Sequence, residues 1–237
     1  MKNDKIILGH NSFFGINHAD YEKGKKTSDK FKNNFGKIIE VLSYANEKKI
    51  NNFMISTLDE SETLIEEIKK TKLINNLNFY ILLPYINKFV RKSNELGVVG
   101  VLQDQLSKGS IAKNLKYGLD ISNFLIKFDF KKVISTLIDI ELQPFHKVKK
   151  RIVILHDALT DILVSLKRDD IILYFIDLVQ NKYNCKAGFA TKNFLHLNRF
   201  FKGFVQHTTI LTHANILGFN MNPNKEIVEK EFLDTNY

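Results

Sequence analysis

Short apolar runs recur along this chain, and a segment with helical spacing of its apolar residues follows most of them. Such runs are too apolar for strands with one face in water, and they are typical of parallel strands that helices cover on both faces. The strands predicted in this way span residues 5–8, 52–55, 79–83, 98–102, 152–155, 186–190 and 208–211, and a weaker run at 216–219 would make an eighth.

The segments between these runs carry the apolar stripes of amphipathic helices. In the segment 169–183, for example, Ile172 and Val179 share one stripe. Asn222 and Pro223 form the pattern of an N-cap followed by proline at the first helical position, so we expect the last helix to start there. The other predicted helices cover residues 35–49, 60–70 and 122–142.

A chain that repeats strand and helix so often has two common solutions, a doubly wound sheet and a (β/α)8 barrel. Doubly wound folds usually carry a G-x-G-x-x-G turn after the first strand, whereas here that turn reads Gly9-His-Asn-Ser-Phe-Phe-Gly15. A length of 237 residues also suits a barrel. We therefore predict an α/β fold with a parallel (β/α)8 TIM-like barrel, formed as a single domain over residues 1–237 with an irregular or missing eighth strand.

Composition limits the classes of protein that this chain can belong to. No apolar stretch approaches the roughly 18 residues that a membrane span needs, and one cysteine, Cys185, excludes a disulfide framework and is expected to be buried. The 35 Lys and Arg against 26 Asp and Glu give a net charge of +9, but the lysines fall mostly on predicted helix faces and in junctions. We expect a soluble, cytoplasmic protein that binds small molecules, with a modest preference for anions, and no membrane or nucleic-acid partner.

In barrel enzymes the reacting side chains project from the carboxyl ends of the strands. Most of the predicted strands here end in residues that can donate, accept or ionise. Three of them are candidate catalytic residues: His156, Asp157 and Lys192. The candidate substrate-binding residues are His10, Asn11, Ser12, Ser56, Gln103, Asp104, Asn193, His213, Asn215 and Asn220.

His156 and Asp157 follow the fifth predicted strand. A histidine at a strand end can serve as a general acid or base, because imidazole exchanges protons near neutral pH. Adjacent residues of a strand point to opposite faces, so we do not expect Asp157 to orient His156. The alternative to a catalytic role is that Asp157 caps the following helix and that His156 only packs.

Lys192 follows the sixth predicted strand, where its amine would reach the mouth of a barrel. Class I aldolases use such a lysine to form a Schiff base, which desolvation or a neighbouring cation activates. The alternative is an ordinary exposed lysine in a lysine-rich chain. Asn193 beside it is a candidate cap of the following helix.

The histidines at several predicted strand ends allow a metal site as an alternative. His10, His156 and His213, with Asp104 or Asp157, would offer the nitrogen and oxygen ligands that Zn²⁺ and other divalent ions take. No close-spaced pair such as H-E-x-x-H or H-x-H is present. Ligands supplied by separate strands would have to converge in the fold.

The segments 152–157 (IVILHD) and 185–194 (CKAGFATKNF), with a helix between them, resemble a passage of the aldo/keto reductases. In that family an apolar strand ending in His precedes a helix and a strand that reads roughly G-V-S-N-F. The resemblance implies a barrel and redox chemistry with a nicotinamide cofactor, and it places His156 at a catalytic position. The family's catalytic aspartate, tyrosine and lysine have no counterparts here, and Ser56 stands where the aspartate would be.

These patterns together predict an enzyme that performs acid/base chemistry, of the lyase/aldolase or isomerase type, on a small polar or anionic carbonyl metabolite. His156 would move the proton, and Lys192 would form a Schiff base or stabilise negative charge, with no cofactor required. Three alternatives stay open: a metal-dependent hydrolase, an oxidoreductase like the aldo/keto reductases, and a ligand-binding barrel without catalysis. The oligomeric state is also open, and the sequence is compatible with a homo-oligomer.

Overall fold

The computed structural model describes residues 6–17, 20–31, 34–84, 130–202 and 208–234. These residues form an α/β fold with a parallel six-stranded sheet, whose strands follow one another in chain order. The strands are β1 (Ile7–Gly9), β2 (Asn52–Ser56), β3 (Asn78–Leu83), β4 (Lys150–Leu155), β5 (Lys186–Ala190) and β6 (Thr209–Leu211).

Eight α-helices occur in the same ranges, together with two short 3-10 helices. None of these helices combines the length and the apolar character that crossing a bilayer requires. The α-helices are α1 (Tyr21–Phe31), α2 (Phe35–Glu47), α3 (Asp59–Lys69), α4 (Phe130–Leu142), α5 (Asp157–Ser165), α6 (Asp169–Tyr183), α7 (Phe194–Lys202) and α8 (Lys225–Asp234).

The predicted pattern of strands and helices is largely confirmed. Six of the predicted strands are present, with ends that differ by at most two residues. Helices α2, α3 and α6 match their predicted segments, and α4 matches the second half of the segment 122–142. The predicted strand at 98–102 lies outside the described residues.

The predicted eighth strand at residues 216–219 is wrong, because these residues form a turn. The side chain of Asn215 accepts a hydrogen bond from the Phe219 N–H at 3.0 Å and donates one to the Phe219 carbonyl at 2.8 Å. Ile216 and Leu217 are 88% and 91% exposed. The apolar run that suggested a strand therefore lies on the surface, and among the described residues it joins no sheet.

The start of the last helix also differs from the prediction. Helix α8 begins at Lys225, and the side chain of Asn224 accepts a hydrogen bond from the N–H of Ile227 at 2.9 Å. Asn224 therefore caps the helix in place of Asn222. The side-chain amide of Asn222 instead donates to the carbonyl oxygen of Lys192 at 3.0 Å.

Internal contacts divide the chain into two compact units, residues 1–85 with 139–151 and residues 86–138 with 152–237. The single domain over 1–237 stays a prediction. In the first unit β2 pairs with both β1 and β3, and Phe53 is in register with Leu8 and Phe79. Phe53 and Phe79 are fully buried, with ring centroids 6.1 Å apart. The apolar runs thus form the core that covered parallel strands require.

In the second unit β5 pairs with both β4 and β6, and Gly188 is in register with Ile154 and Thr209. A Cβ atom at Gly188 would lie 3.0 Å from Cγ2 of Ile152 and 3.3 Å from the carbonyl oxygen of Thr209. These separations are shorter than ordinary van der Waals contact. Glycine therefore gives the side chains of β4 the space that they occupy over β5.

Helix α6 buries the stripe that its sequence predicted. Ile172, Phe175 and Val179 are at most 1% exposed, and the ring of Phe175 lies 5.4 Å from that of Phe189 in β5. Full burial of a large apolar side chain stabilises a fold by about 1.5–3 kcal/mol. This contact fixes α6 against the strand whose carboxyl end carries Lys192.

Candidate active site

His156 lies where strand β4 ends and helix α5 begins. Its backbone is extended, with φ −62° and ψ 145°, and Asp157 is the first residue of the helix. Nδ1 of His156 lies 2.6 Å from Oδ1 of Asp157. A hydrogen bond of this length needs a proton between the two atoms, so Nδ1 is the donor and Asp157 orients the imidazole.

This contact contradicts the prediction that Asp157 does not orient His156. The prediction treated both residues as parts of one strand, in which neighbouring side chains point to opposite faces. The backbone changes from extended to helical between them, so strand alternation does not apply to the pair. The two side chains can therefore meet at the junction.

Asp157 also accepts a hydrogen bond at the start of α5. The backbone nitrogen of Ala158 lies 2.8 Å from Oδ1 of Asp157 and 3.3 Å from Nδ1 of His156. Because Nδ1 already carries a proton that it donates, it cannot accept another, and the amide of Ala158 donates to the carboxylate. The N-cap position of α5 is held by His156, so the predicted cap role of Asp157 is wrong, although its carboxylate accepts one N–H of the first turn.

The second carboxylate oxygen of Asp157 faces Lys192, with 3.4 Å between Oδ2 and Nζ. The hydrogen bond from His156 holds the pKa of Asp157 well below its usual range, with help from the charge of Lys192 and against the desolvation that raises it. Asp157 is therefore ionised at physiological pH. It connects the three candidate catalytic residues, which we call the His156–Asp157–Lys192 cluster.

The surroundings of Lys192 differ from those of a Schiff-base lysine. Its side chain is 51% exposed, and its amine faces a carboxylate that is only 15% exposed. Lysines that form Schiff bases are activated by desolvation or by a neighbouring cation. The geometry of Lys192 instead favours a fixed positive charge.

Asp161, one turn after Asp157 on helix α5, binds the segment that carries Lys192. Its Oδ1 accepts a hydrogen bond from the Thr191 hydroxyl at 2.5 Å, and its Oδ2 accepts one from the N–H of Lys192 at 3.2 Å. The carbonyl oxygen of Lys192 accepts from the side chain of Asn222 at 3.0 Å. Polar side chains therefore hold the backbone of Lys192 at both its N–H and its carbonyl.

The sequence patterns did not identify Asp161 or Asn222 as neighbours of Lys192. A signal for Asp161 exists, because it follows Asp157 by four residues and the two carboxylates therefore share a helix face. For Asn222 the local pattern indicated a helix cap, and only the fold brings its side chain to Lys192.

Asn193 has a structural role. Its Oδ1 accepts a hydrogen bond from the N–H of His196 at 3.2 Å, so it caps helix α7. Its own N–H donates to the Thr191 hydroxyl at 2.9 Å. The alternative of a cap is confirmed, whereas the predicted contact of Asn193 with substrate stays a prediction.

Three other predicted substrate-binding residues follow β6 in the second unit. His213 is half-buried. Both polar atoms of the Asn215 side chain bind the backbone of Phe219, so they stabilise the turn. Asn220 has a left-handed backbone with φ 57°. Their contact with a substrate stays a prediction.

His10, in the first unit, is also at a strand end, but its side chain is in an apolar environment. It is 1% exposed, its ring lies 5.6 Å from that of Phe14, and neither ring nitrogen has a hydrogen-bond partner among the described residues. Burial lowers the pKa of His10 from 6.5 to about 4, although the backbone of Met54 offsets part of the shift. The imidazole is therefore neutral at physiological pH.

The other candidates of the first unit lie in different environments. Asn11 is half-buried, Ser12 is exposed and Ser56 is 5% exposed. Gln103 and Asp104 lie outside the described residues. Substrate binding by these five residues, like that by His10, stays a prediction.

The metal hypothesis finds no ligand set in the described part of the chain. No three His, Cys, Asp or Glu side chains there form a group that could hold a metal ion. The metal site predicted for His10, His156 and His213 stays a prediction. Cys185 was expected to be buried, but it is half-buried, because it lies in the connection between α6 and β5.

Comparisons with known proteins add no family to this geometry. A scan against protein-family models and searches of curated proteins and of solved structures found no match to this chain. The resemblance to the aldo/keto reductases therefore stays a prediction from the segments 152–157 and 185–194.

Proposed function

We propose that this protein is an enzyme that moves protons next to the carbonyl group of a small polar or anionic substrate, in a reaction of the lyase/aldolase or isomerase type. The observation that carries the proposal is the shared carboxylate of Asp157, 2.6 Å from Nδ1 of His156 and 3.4 Å from Nζ of Lys192. The architecture proposed for the whole chain is a (β/α) barrel that lacks an eighth strand at residues 216–219.

His156 serves as the general base. Because Nδ1 donates its proton to Asp157, the lone pair of the neutral imidazole lies on Nε2. The side chain is 25% exposed, which leaves room for a substrate to reach it. When Nε2 takes a proton, the carboxylate of Asp157 stabilises the imidazolium that forms.

The proposed step is the removal of a proton from the carbon next to the carbonyl. The C–H bond breaks, its proton goes to Nε2 of His156, and its electron pair moves to give an enolate with negative charge on the carbonyl oxygen. With an α-hydroxy substrate, an isomerase then transfers the hydroxyl proton to the enolate oxygen and returns the proton from Nε2 to the former carbonyl carbon, so that the carbonyl moves to the neighbouring carbon. A lyase acting in the direction of synthesis adds the enolate carbon to a second carbonyl, and the alkoxide that forms takes the proton back from Nε2 of His156.

Lys192 stabilises the charge that develops on the enolate oxygen. Its ammonium group needs no covalent step for this role, and a fixed charge near a developing oxyanion lowers the barrier. A half-exposed lysine paired with a carboxylate suits such a role better than it suits a Schiff base.

Exchange of substrate protons with solvent tests the proposal. The protein in D2O is incubated with a panel of keto acids, hydroxyketones and sugar phosphates, and loss of the α-proton signal is followed by ¹H NMR. We expect exchange on at least one compound and a loss of about 10²–10⁴-fold in His156→Gln. Two exposed residues of the second unit provide matched controls, His196→Gln and Lys186→Met, which keep the wild-type rate.

Two outcomes would overturn the proposal: no exchange on any compound of the panel, or full exchange in His156→Gln. Treatment with borohydride in the presence of the active compound separates the two roles of Lys192. A reduced adduct on Lys192 would establish the Schiff base, whereas no adduct together with a loss of rate in Lys192→Met supports the electrostatic role.

A further inference from the structure

We propose that Asp161 is a positioning residue, which fixes the backbone of Lys192 so that the ammonium group meets Asp157. The inference rests on the proposed function of the His156–Asp157–Lys192 cluster. Its test needs no substrate, so the two can fail separately.

The first support is that helix α5 binds one lysine twice. Asp157 binds the amine of Lys192 at 3.4 Å, and Asp161, one turn later, binds its backbone N–H at 3.2 Å. Residues four apart share one face of a helix. Two contacts on one face fix where Lys192 lies along α5, whereas the ion pair alone would leave a half-exposed side chain free to move.

The second support is the buried hydroxyl beside the lysine. Thr191 is 1% exposed, and its hydroxyl donates to Asp161 at 2.5 Å while accepting from the N–H of Asn193 at 2.9 Å. Hydrogen bonds to an ionised acceptor are shorter and stronger than those between neutral groups. The carboxylate of Asp161 therefore holds two consecutive residues, Thr191 and Lys192.

The third support is the type of residue at position 161. Aspartate in the interior of a helix has a low helical propensity, since its side chain competes for nearby backbone groups. Asp161 lies in the middle of α5, and its two carboxylate oxygens bind groups of another element, the end of β5. Helix formation does not account for this residue, whereas the contact with the Lys192 segment does.

The test measures how readily Lys192 reacts with an amine reagent. The protein is treated with a limiting amount of N-hydroxysuccinimidyl acetate, and mass spectrometry gives the acetylation of Lys192 relative to Lys186, an exposed lysine at the other end of β5. In Asp161→Asn the ratio is expected to rise about two- to fivefold, the range that loss of an exposed ion pair allows. Asp157→Asn is expected to produce the same rise, and the double variant no further rise.

A second variant separates position from charge. Thr191→Val keeps the charge of Asp161 but removes one of its two hydrogen bonds, so the ratio is expected to rise in this variant as well. Asp161→Glu keeps a carboxylate and is expected to lie closer to the wild type than Asp161→Asn. Thermal unfolding of each variant shows whether it is folded.

Several results would overturn the inference. One is an unchanged ratio in a folded Asp161→Asn, and another is a rise in Asp161→Asn without any rise in Thr191→Val, which would indicate an effect of charge alone. Equal increases at Lys192 and Lys186 would indicate general loosening. The proposed function fails in a different measurement, if His156→Gln exchanges substrate protons at the full rate.

Discussion

Two histidines of this protein occupy the same place in the sequence pattern and have opposite surroundings. His10 follows β1 in the first unit, and His156 follows β4 in the second. His10 is 1% exposed and its ring nitrogens have no hydrogen-bond partner among the described residues, whereas His156 donates to Asp157 and is 25% exposed. The carboxyl end of a parallel strand therefore does not by itself make a histidine reactive.

The difference comes from the residue that follows each histidine. Asp157 begins a helix and supplies a carboxylate, which fixes the tautomer of His156. Asn11, after His10, continues into a turn in which its carbonyl accepts from the N–H of Ile16 at 2.8 Å. An oriented imidazole can exchange protons with a ligand, whereas a buried one without a partner resists protonation.

The largest expected effect is on acid stability and concerns His10. Its pKa is about 4 in the folded protein and 6.5 when unperturbed, so as the pH falls from 6.5 to 4 the unfolded chain binds a proton that the folded chain does not. The part of the free energy of unfolding that depends on His10 is therefore fully present above pH 6.5. It is lost as the pH falls through this window, by about 3 kcal/mol, which is more than a hundredfold in the unfolding equilibrium.

Urea unfolding across this pH window measures the effect. His10→Leu removes the titrating group and should lose that part of the pH dependence, whereas His156→Gln should keep it. If the wild type and His10→Leu show the same dependence on pH, the difference between the two histidines is not one of burial.

The next effect concerns the partner of His156. In Asp157→Asn the side-chain NH2 can donate to Nδ1, which moves the imidazole proton to Nε2 and removes the base. We expect the exchange rate to fall about 100-fold, the lower end of what a general base contributes, because the amide oxygen of the new side chain can still accept from Nδ1 in part of the molecules. The exposed Asp170, which pairs with Arg168, provides the control Asp170→Asn, with an unchanged rate.

A full rate in Asp157→Asn would mean that Asp157 serves only the start of helix α5. The comparison of the two histidines would then reduce to a difference in exposure.

The smallest expected effect shows whether Asn193 only caps helix α7 or also binds the substrate. Asn193→Ala removes the hydrogen bond to the N–H of His196 and should lower the free energy of unfolding by about 1 kcal/mol, roughly fivefold in the equilibrium. The exchange rate should not change. A higher KM with unchanged stability would instead place Asn193 in contact with the substrate.

The strands were predictable because the apolar runs of the sequence are the residues that the sheet buries. Apolar runs such as residues 152–155 are buried in the sheet, and helix α6 buries the stripe that its spacing indicates. The same logic failed at 216–219, because Ile216 and Leu217 are as apolar as strand residues and yet lie on a turn. Composition does not show whether an apolar run has a partner that covers it.

The sequence predicts the individual residues of the candidate site but not the contacts between them. His156, Asp157 and Lys192 follow from their positions at strand ends, but the contact between His156 and Asp157 depends on where the helix starts. The contact of Asp161 with Lys192 joins residues 31 apart in the chain, and only the packing of α5 against the end of β5 creates it.

Gly188 lies between strands β4 and β6, and the space beside it limits which substitutions this part of the sheet can accept. The space above it is occupied by Ile152 and Ile154, and the backbone of Thr209 lies close on the other strand. A larger residue at 188 is compatible with the sheet only where the isoleucines have become smaller. Among descendants of this sequence, positions 152, 154 and 188 should therefore vary as a set, and they should do so whether or not the chemistry of the site is kept.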